Sequence, residues 1–111
     1  MFKNLKVWEA SMELAEMVYE LTKSFPANEA FNLVSQIQRS VVSVPSNIAE
    51  GKGRGSDKEF RQFLYIARGS LFELRTQLEL ARRLKYIDSN KQIIEKIVEV
   101  QSMLNTLIQK L

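Results

Sequence analysis

Four arginines, Arg61, Arg68, Arg75 and Arg82, follow one another at intervals of seven residues. On a helix that interval returns each guanidinium to nearly the same face, which makes a line of fixed cations. A planar guanidinium matches carboxylates and phosphates bidentately, so the line suits acidic side chains or the backbone of RNA or DNA. Lys52, Arg54, Lys58, Arg83 and Lys85 would extend the same surface. Lys52 and Arg54 stand in Gly51-Lys52-Gly53-Arg54-Gly55, where open amides ahead of a helix start could hold an anion. The GxxxxGK[ST] pattern is absent, so a nucleotide-binding loop is not supported and a mobile connector is the simpler reading.

Asn47, Glu50 and Glu73 are polar groups on or near faces that should pack. Paired carboxylates can do acid–base work or hold a metal, whereas buried polar groups in helical bundles commonly act as hydrogen-bonded register pins. The chain has no His and no Cys. That removes the commonest general base, thiolate nucleophiles, ordinary zinc sites and the Glu-x-x-His motif of di-iron bundles. We therefore expect no catalytic residue, no cofactor and no metal.

The net charge of +3 is unevenly spread. Residues 1–30 sum to −2, residues 31–85 to +5 and residues 86–111 to 0, so the cations concentrate in the middle. Such a balance favours a polyanion or an acidic partner. No apolar run reaches the roughly 20 residues of a membrane helix, and MFKNLKVWEA lacks an apolar signal core, so a cytoplasmic protein without a membrane partner is expected.

The elements that must position these residues are all helical. A first helix over about 5–23 carries apolar seams of Trp8, Met12, Ala15 and Tyr19 and of Val7, Leu14, Val18 and Leu21, opposite an acidic ridge of Glu9, Glu13, Glu16 and Glu20. A second, over about 29–50, places Val34, Ile37, Val41, Val44 and Ile48 in the core and Ser40, Ser43, Ser46 and Ala49 on a small-residue face. Pro45 should kink it without ending it, and Gly51 should stop it. The third, over about 56–84, opens with the capping box Ser56-Asp57-Lys58-Glu59. Its seam of Phe60, Leu64, Ala67, Leu71, Leu74, Leu78 and Ala81 sets the arginines at heptad position e. Ser89 and Gln92 offer a second box for a last helix over about 89–110. With 111 residues, one core and short loops, the expectation is a single-domain, all-α, antiparallel up-down-up-down four-helix bundle.

Helix three carries a further stripe, Phe63, Ile66, Ser70, Glu73, Gln77, Leu80 and Leu84, apolar at both ends. A monomeric bundle rarely needs a second such seam, so Phe63, Ile66, Ser70, Glu73, Leu80 and Leu84 are expected at a subunit interface. Burial by the bundle itself is the alternative.

Several strings point beyond these patterns: Leu5-x-Val7-Trp8, Gln36-Ile37-x-Arg39, Ser43-Val44-Pro45-Ser46-Asn47-Ile48-Ala49-Glu50-Gly51 and Gly69-Ser70-Leu71-x-Glu73-Leu74. In combination they resemble the four-helix-bundle proteins encoded by intervening sequences of large-subunit rRNA genes. The chain is also similar to the accessory variability proteins of diversity-generating retroelements, basic bundles that bind a reverse transcriptase and nucleic acid. The resemblance implies a homo-oligomer, a pentamer, and no particular reaction, since the first family is named for where its genes lie. The sequence thus predicts a non-enzymatic, homo-oligomeric module engaging RNA, DNA or a nucleic-acid-handling protein through Lys52, Arg54, Lys58, Arg61, Arg68, Arg75, Arg82 and Arg83. Its rival is a purely structural scaffold in which those arginines meet the Glu9–Glu20 ridge within or between subunits.

Overall fold

The computed structural model describes residues 2–111. Four helices, α1 (Lys6–Thr22), α2 (Leu33–Gly53), α3 (Asp57–Arg83) and α4 (Lys91–Lys110), make an all-α bundle with extents of 43 × 25 × 20 Å. Each helix touches its two chain neighbours, with α4 closing the ring onto α1 and no contact across the diagonals. Pairings between helices fix their directions. Moving up α3 from Arg61 to Arg68 to Arg75, the partner on α4 falls from Leu111 to Asn105 to Gln101. Likewise Phe63 meets Gly51 while Ser70 meets Ser43, so α2 and α4 both run against α3.

The core is the a/d face of α3 with its counterparts on the other helices. Leu64, Leu71 and Leu74 are buried among Leu14, Val18, Ile37, Val41, Val44, Ile48, Ile97, Val100 and Leu104. Removing each such side chain from water contributes about 1.5–3 kcal/mol, which makes this cluster the main source of stability. The expected seam of α4 holds for Ile93, Ile97, Val100 and Leu104, while Leu107 and Leu111 pack at its edge beside buried Ile108.

α1 uses less of its apolar band than its pattern offers. Val7, Ala10, Leu14, Ala15 and Val18 are buried, but Met12 and Tyr19 stay exposed and Trp8 is half-buried against Phe2. Two neighbouring helices cover only the flanks nearest them, so the outer part of a wide band remains in water.

Helix limits differ from expectation where loop chemistry intervenes. Residues Ala27–Glu29 form a 3-10 turn after Pro26, and α2 starts only at Leu33, whose amide lies 3.5 Å from a Glu29 carboxylate oxygen. Val34 is thereby turned to the margin and Leu33 into the core. α2 passes unbroken through Pro45, as expected, but also through Gly51, and ends at Gly53. Gly51 stays helical because it packs: a Cβ there would sit 2.5 Å from Phe63 Cβ. The left-handed turn falls instead on Gly55, at φ 89°. Ser56 then caps α3, its Oγ accepting from the Glu59 amide at 3.2 Å. The second box is not formed, since α4 begins at Lys91 behind Asn90, with no side-chain cap. α3 closes in a Schellman turn, Tyr86 N donating to Ala81 O and Lys85 N to Arg82 O, with Lys85 left-handed at φ 66°.

Candidate nucleic-acid interface

The heptad of α3 gives each flank its own neighbour. Position e faces α4 and position g faces α2, so the arginine line lies along the α3–α4 seam. Arg68 Nη1 donates to Asn105 Oδ1 at 3.0 Å and Arg75 Nη1 to Gln101 Oε1 at 3.2 Å. Arg61 donates to the Leu111 carbonyl oxygen. All three are half-buried, and none has an Asp or Glu side chain within ion-pair distance among the described residues. The neutral amides orient Arg68 and Arg75 without cancelling their charge.

Arg82, the fourth member, turns away from this line. Its guanidinium binds both oxygens of Glu79 at 2.8 and 2.9 Å, and Arg83 binds the same carboxylate at 2.9 Å. Hydrogen bonds from Arg82 and then Arg83 hold the Glu79 carboxyl down at about 2, and the Arg82 guanidinium is raised in turn. These two cations are locally neutralised in part.

At the opposite end of α3 the loop cations lie against aromatic rings. Lys52 Nζ is 5.6 Å from the Phe60 ring centre and the Arg54 guanidinium 5.0 Å from that of Phe63. Arg54 also pairs with Glu50 at 3.0 Å, whereas Lys58 is exposed. With Lys52 still on α2 and Arg54 tied back, the five-residue loop shrinks to a short link.

The stripe assigned to subunit contact divides. Ser70 is buried and its Oγ lies 2.8 Å from Ser43 Oγ, while Asn47 Nδ2 donates to Ser43 Oγ and O at 2.9 and 2.8 Å. Ser70 is therefore corrected to an internal contact of the α2–α3 seam, with Asn47 as the register pin. Phe63 is likewise half-buried against Gly51 and Arg54. Both occupy position g, which the closely packed α2 covers. Ile66, Glu73, Leu80 and Leu84 remain exposed, as do Ile94 and Val98 on α4. Glu50 is paired on the surface and Glu73 exposed, so neither joins Asn47 in the packed network.

The acidic ridge lies on α1, diagonal to α3, and does not meet the arginines within the chain. Glu13 instead shares Lys96 of α4 with Glu99, at 3.2 and 3.1 Å, and these bonds, that from Glu99 first, raise the Lys96 ammonium. Sequence reasoning missed Gln101 and Asn105, whose only signal was two amides four apart beside the α4 core, and the exposed rings Tyr65 and Phe72.

A family model, 23S rRNA-intervening sequence protein, matches residues 3–106. The chain belongs to that family. Its bundle is similar to that of a solved protein of unknown function from the S23 ribosomal protein family of Bacteroides thetaiotaomicron, which is 32% identical, with a TM-score of 0.82. That match covers 92% of this chain and 97% of the other. No curated protein matches. Among the described residues, no helix is long and apolar enough to cross a membrane.

Proposed function

We propose that the chain is a non-enzymatic, cytoplasmic assembly module that binds nucleic-acid phosphates through Arg61, Arg68 and Arg75. One observation carries the reading: two aligned guanidiniums, Arg68 and Arg75, are held in place by neutral side-chain amides, so their charge is positioned and left uncompensated. Lys52 and Lys58 continue the surface at the same end as Arg61, while Arg54, Arg82 and Arg83 contribute less because carboxylates already partner them.

Self-association supplies repetition. Ile66, Leu80 and Leu84 are each about half exposed on the outside of α3. Exposed Glu73 stands between Ile66 and Leu80, so the face is apolar at its ends and charged in the middle, a pattern that suits an interface, and a pentamer implied by the family resemblance would repeat the arginine line around an axis. The scaffold reading keeps one observation in its favour, the exposed ridge of Glu9, Glu16 and Glu20 that an arginine of another subunit could meet.

Two measurements test the proposal. Light scattering should give a mass that is a multiple of 12.8 kDa; a particle of 12.8 kDa removes the oligomer. Binding to RNA should weaken linearly in log–log salt plots with a slope of about −0.7 to −0.9 per phosphate contacted. Absence of binding at low ionic strength would transfer the arginines to the scaffold reading.

A further inference from the structure

We propose that the outer face of α3 around Gly69 is a stacking site for single-stranded nucleic acid. Bases would lie against Tyr65 and Phe72, with phosphates along Arg61, Arg68 and Arg75. The inference rests on the phosphate-binding reading above and narrows it from any nucleic acid to unpaired strands.

Gly69 is the first observation. It sits in the middle of a 27-residue helix, where glycine is the least favourable residue after proline. Gly51 has a packing reason, its contact with Phe63, but nothing lies within 4 Å of a Cβ built on Gly69. No neighbour within the chain requires that position to be empty. What the absent side chain leaves is an open notch on the exposed face, where a planar group can come close to the backbone.

The notch is flanked by two rings. Tyr65 precedes Gly69 by four residues and Phe72 follows it by three, so all three share one face. The rings are 46% and 48% exposed, so both are open to a partner. They are about 10.5 Å apart along the axis. Gly69 and Phe72 also border a shallow groove of about 490 Å³.

Charge supplies the third element. The Arg68 guanidinium lies over the Tyr65 ring, 4.8 Å from its centre, so one face of the ring already carries a cation and a base would stack on the other. Arg61 to Arg75 spans about 21 Å along the helix axis, enough to follow a stretch of strand over several phosphates. Phosphate contacts give sequence-independent affinity, and aromatic stacking adds affinity for any base that is free to leave a stack. A duplex keeps its bases inside and can use only the arginines. Tyr65 and Phe72 are therefore what makes unpaired strands the better fit.

The test is fluorescence anisotropy with a single-stranded oligo(U) about 15 nucleotides long and its duplex with oligo(A) as probes. The unmodified protein should prefer the single strand at equal salt. Tyr65→Ala and Phe72→Ala should each weaken single-strand binding by roughly 5- to 150-fold while leaving the salt slope unchanged. Arg68→Gln should reduce the slope by about one contact. Gly69→Leu fills the notch with a strong helix former, so it should lower single-strand affinity while raising the melting temperature, which separates lost binding from lost fold. Unchanged affinity in the Tyr65, Phe72 and Gly69 variants, or equal binding of duplex, overturns the stacking site alone. A fall in particle mass in these variants also overturns it and assigns the face to a second copy. No binding of either probe at low salt removes the phosphate-binding reading together with it.

Discussion

Along α3, the seam with α2 is closed by small residues and the seam with α4 is spanned by arginines. On the α2 side, Gly51 lets Phe63 approach to the backbone, and Ser43, Asn47 and Ser70 form a short hydrogen-bonded chain in the middle. On the α4 side the approach is the loosest of the bundle, and Arg61, Arg68 and Arg75 reach across to amide and carbonyl oxygens. Both flanks repeat every seven residues on the same helix. Their chemistry differs because close packing needs volume removed, whereas a wide gap can be crossed only by long side chains. The close seam fixes register, and the wide seam leaves charge at the surface.

The largest test of this difference is the same substitution at two glycines. Gly51→Ala should destabilise by about 1–3 kcal/mol in urea unfolding, because its Cβ collides with Phe63 in a seam that cannot give. Gly69→Ala should stabilise by up to about 1 kcal/mol, since only helix propensity changes there. Equal signs at the two sites would show that α2 and α3 are not closely packed.

Next in size is the hydroxyl pair. Ser70→Ala leaves Ser43 with one partner fewer at a half-buried position and should cost about 1–2 kcal/mol. In a double-mutant cycle with Ser43→Ala the losses should be less than additive, as expected of groups in one network.

The wide seam should respond differently. Replacing Arg61, Arg68 and Arg75 together by Gln should change stability by less than about 1 kcal/mol each, because half-exposed hydrogen bonds to neutral groups contribute little net. The same variant should lose about 2.1–2.7 units of salt slope in RNA binding, one phosphate contact per arginine. A large stability loss without loss of binding would reverse the roles assigned to the two flanks.

The smallest effect concerns Glu79, which takes Arg82 out of the line. Its carboxyl is depressed from an ordinary 4.5 to about 2, so its pairing supports the fold above pH 4.5 and is lost as pH falls toward 2. Glu79→Gln should flatten the acid-unfolding curve in that window and leave neutral-pH stability nearly unchanged, the site being exposed. An identical curve would mean that the three-residue cluster does not persist in solution.

Much of this architecture is legible in the chain because α3 declares its register: Ser56 marks the start, and the a/d seam then follows without interruption. From that register the arginines fall at e, but e names a flank and not a partner. Gln101 and Asn105 carry no charge pattern, so their role emerges only when α4 lies alongside. The small face of α2 was misjudged for a geometric reason. Steps of three drift around a helix, so Ser46 and Ala49 leave the face that Ser40 and Ser43 begin, and Asn47 and Gly51 continue it. Gly51 itself looked like a terminator, since a sequence cannot distinguish a glycine needed for its dihedrals from one needed for its size. The split of the outer stripe of α3 has the same origin: positions g and c are neighbours in the pattern, yet α2 covers g at Phe63 and Ser70 and leaves Leu84, past the end of the helix, exposed.

The Tyr86 hydroxyl donates to Glu29 at 2.7 Å, and its ring lies 5.7 Å from that of Phe25. That bond raises the phenol above its usual range, so it stays protonated and donating up to more alkaline pH. These contacts tie the α1–α2 connection to the α3–α4 turn, joining loops 57 residues apart in sequence. The other end of the bundle holds both the start of α1 and the end of α4, and there Arg61 of α3 reaches Leu111 while Phe2–Asn4 packs against α2. The bundle is thus fastened at both ends, at one by a phenol and at the basic end by Arg61 itself.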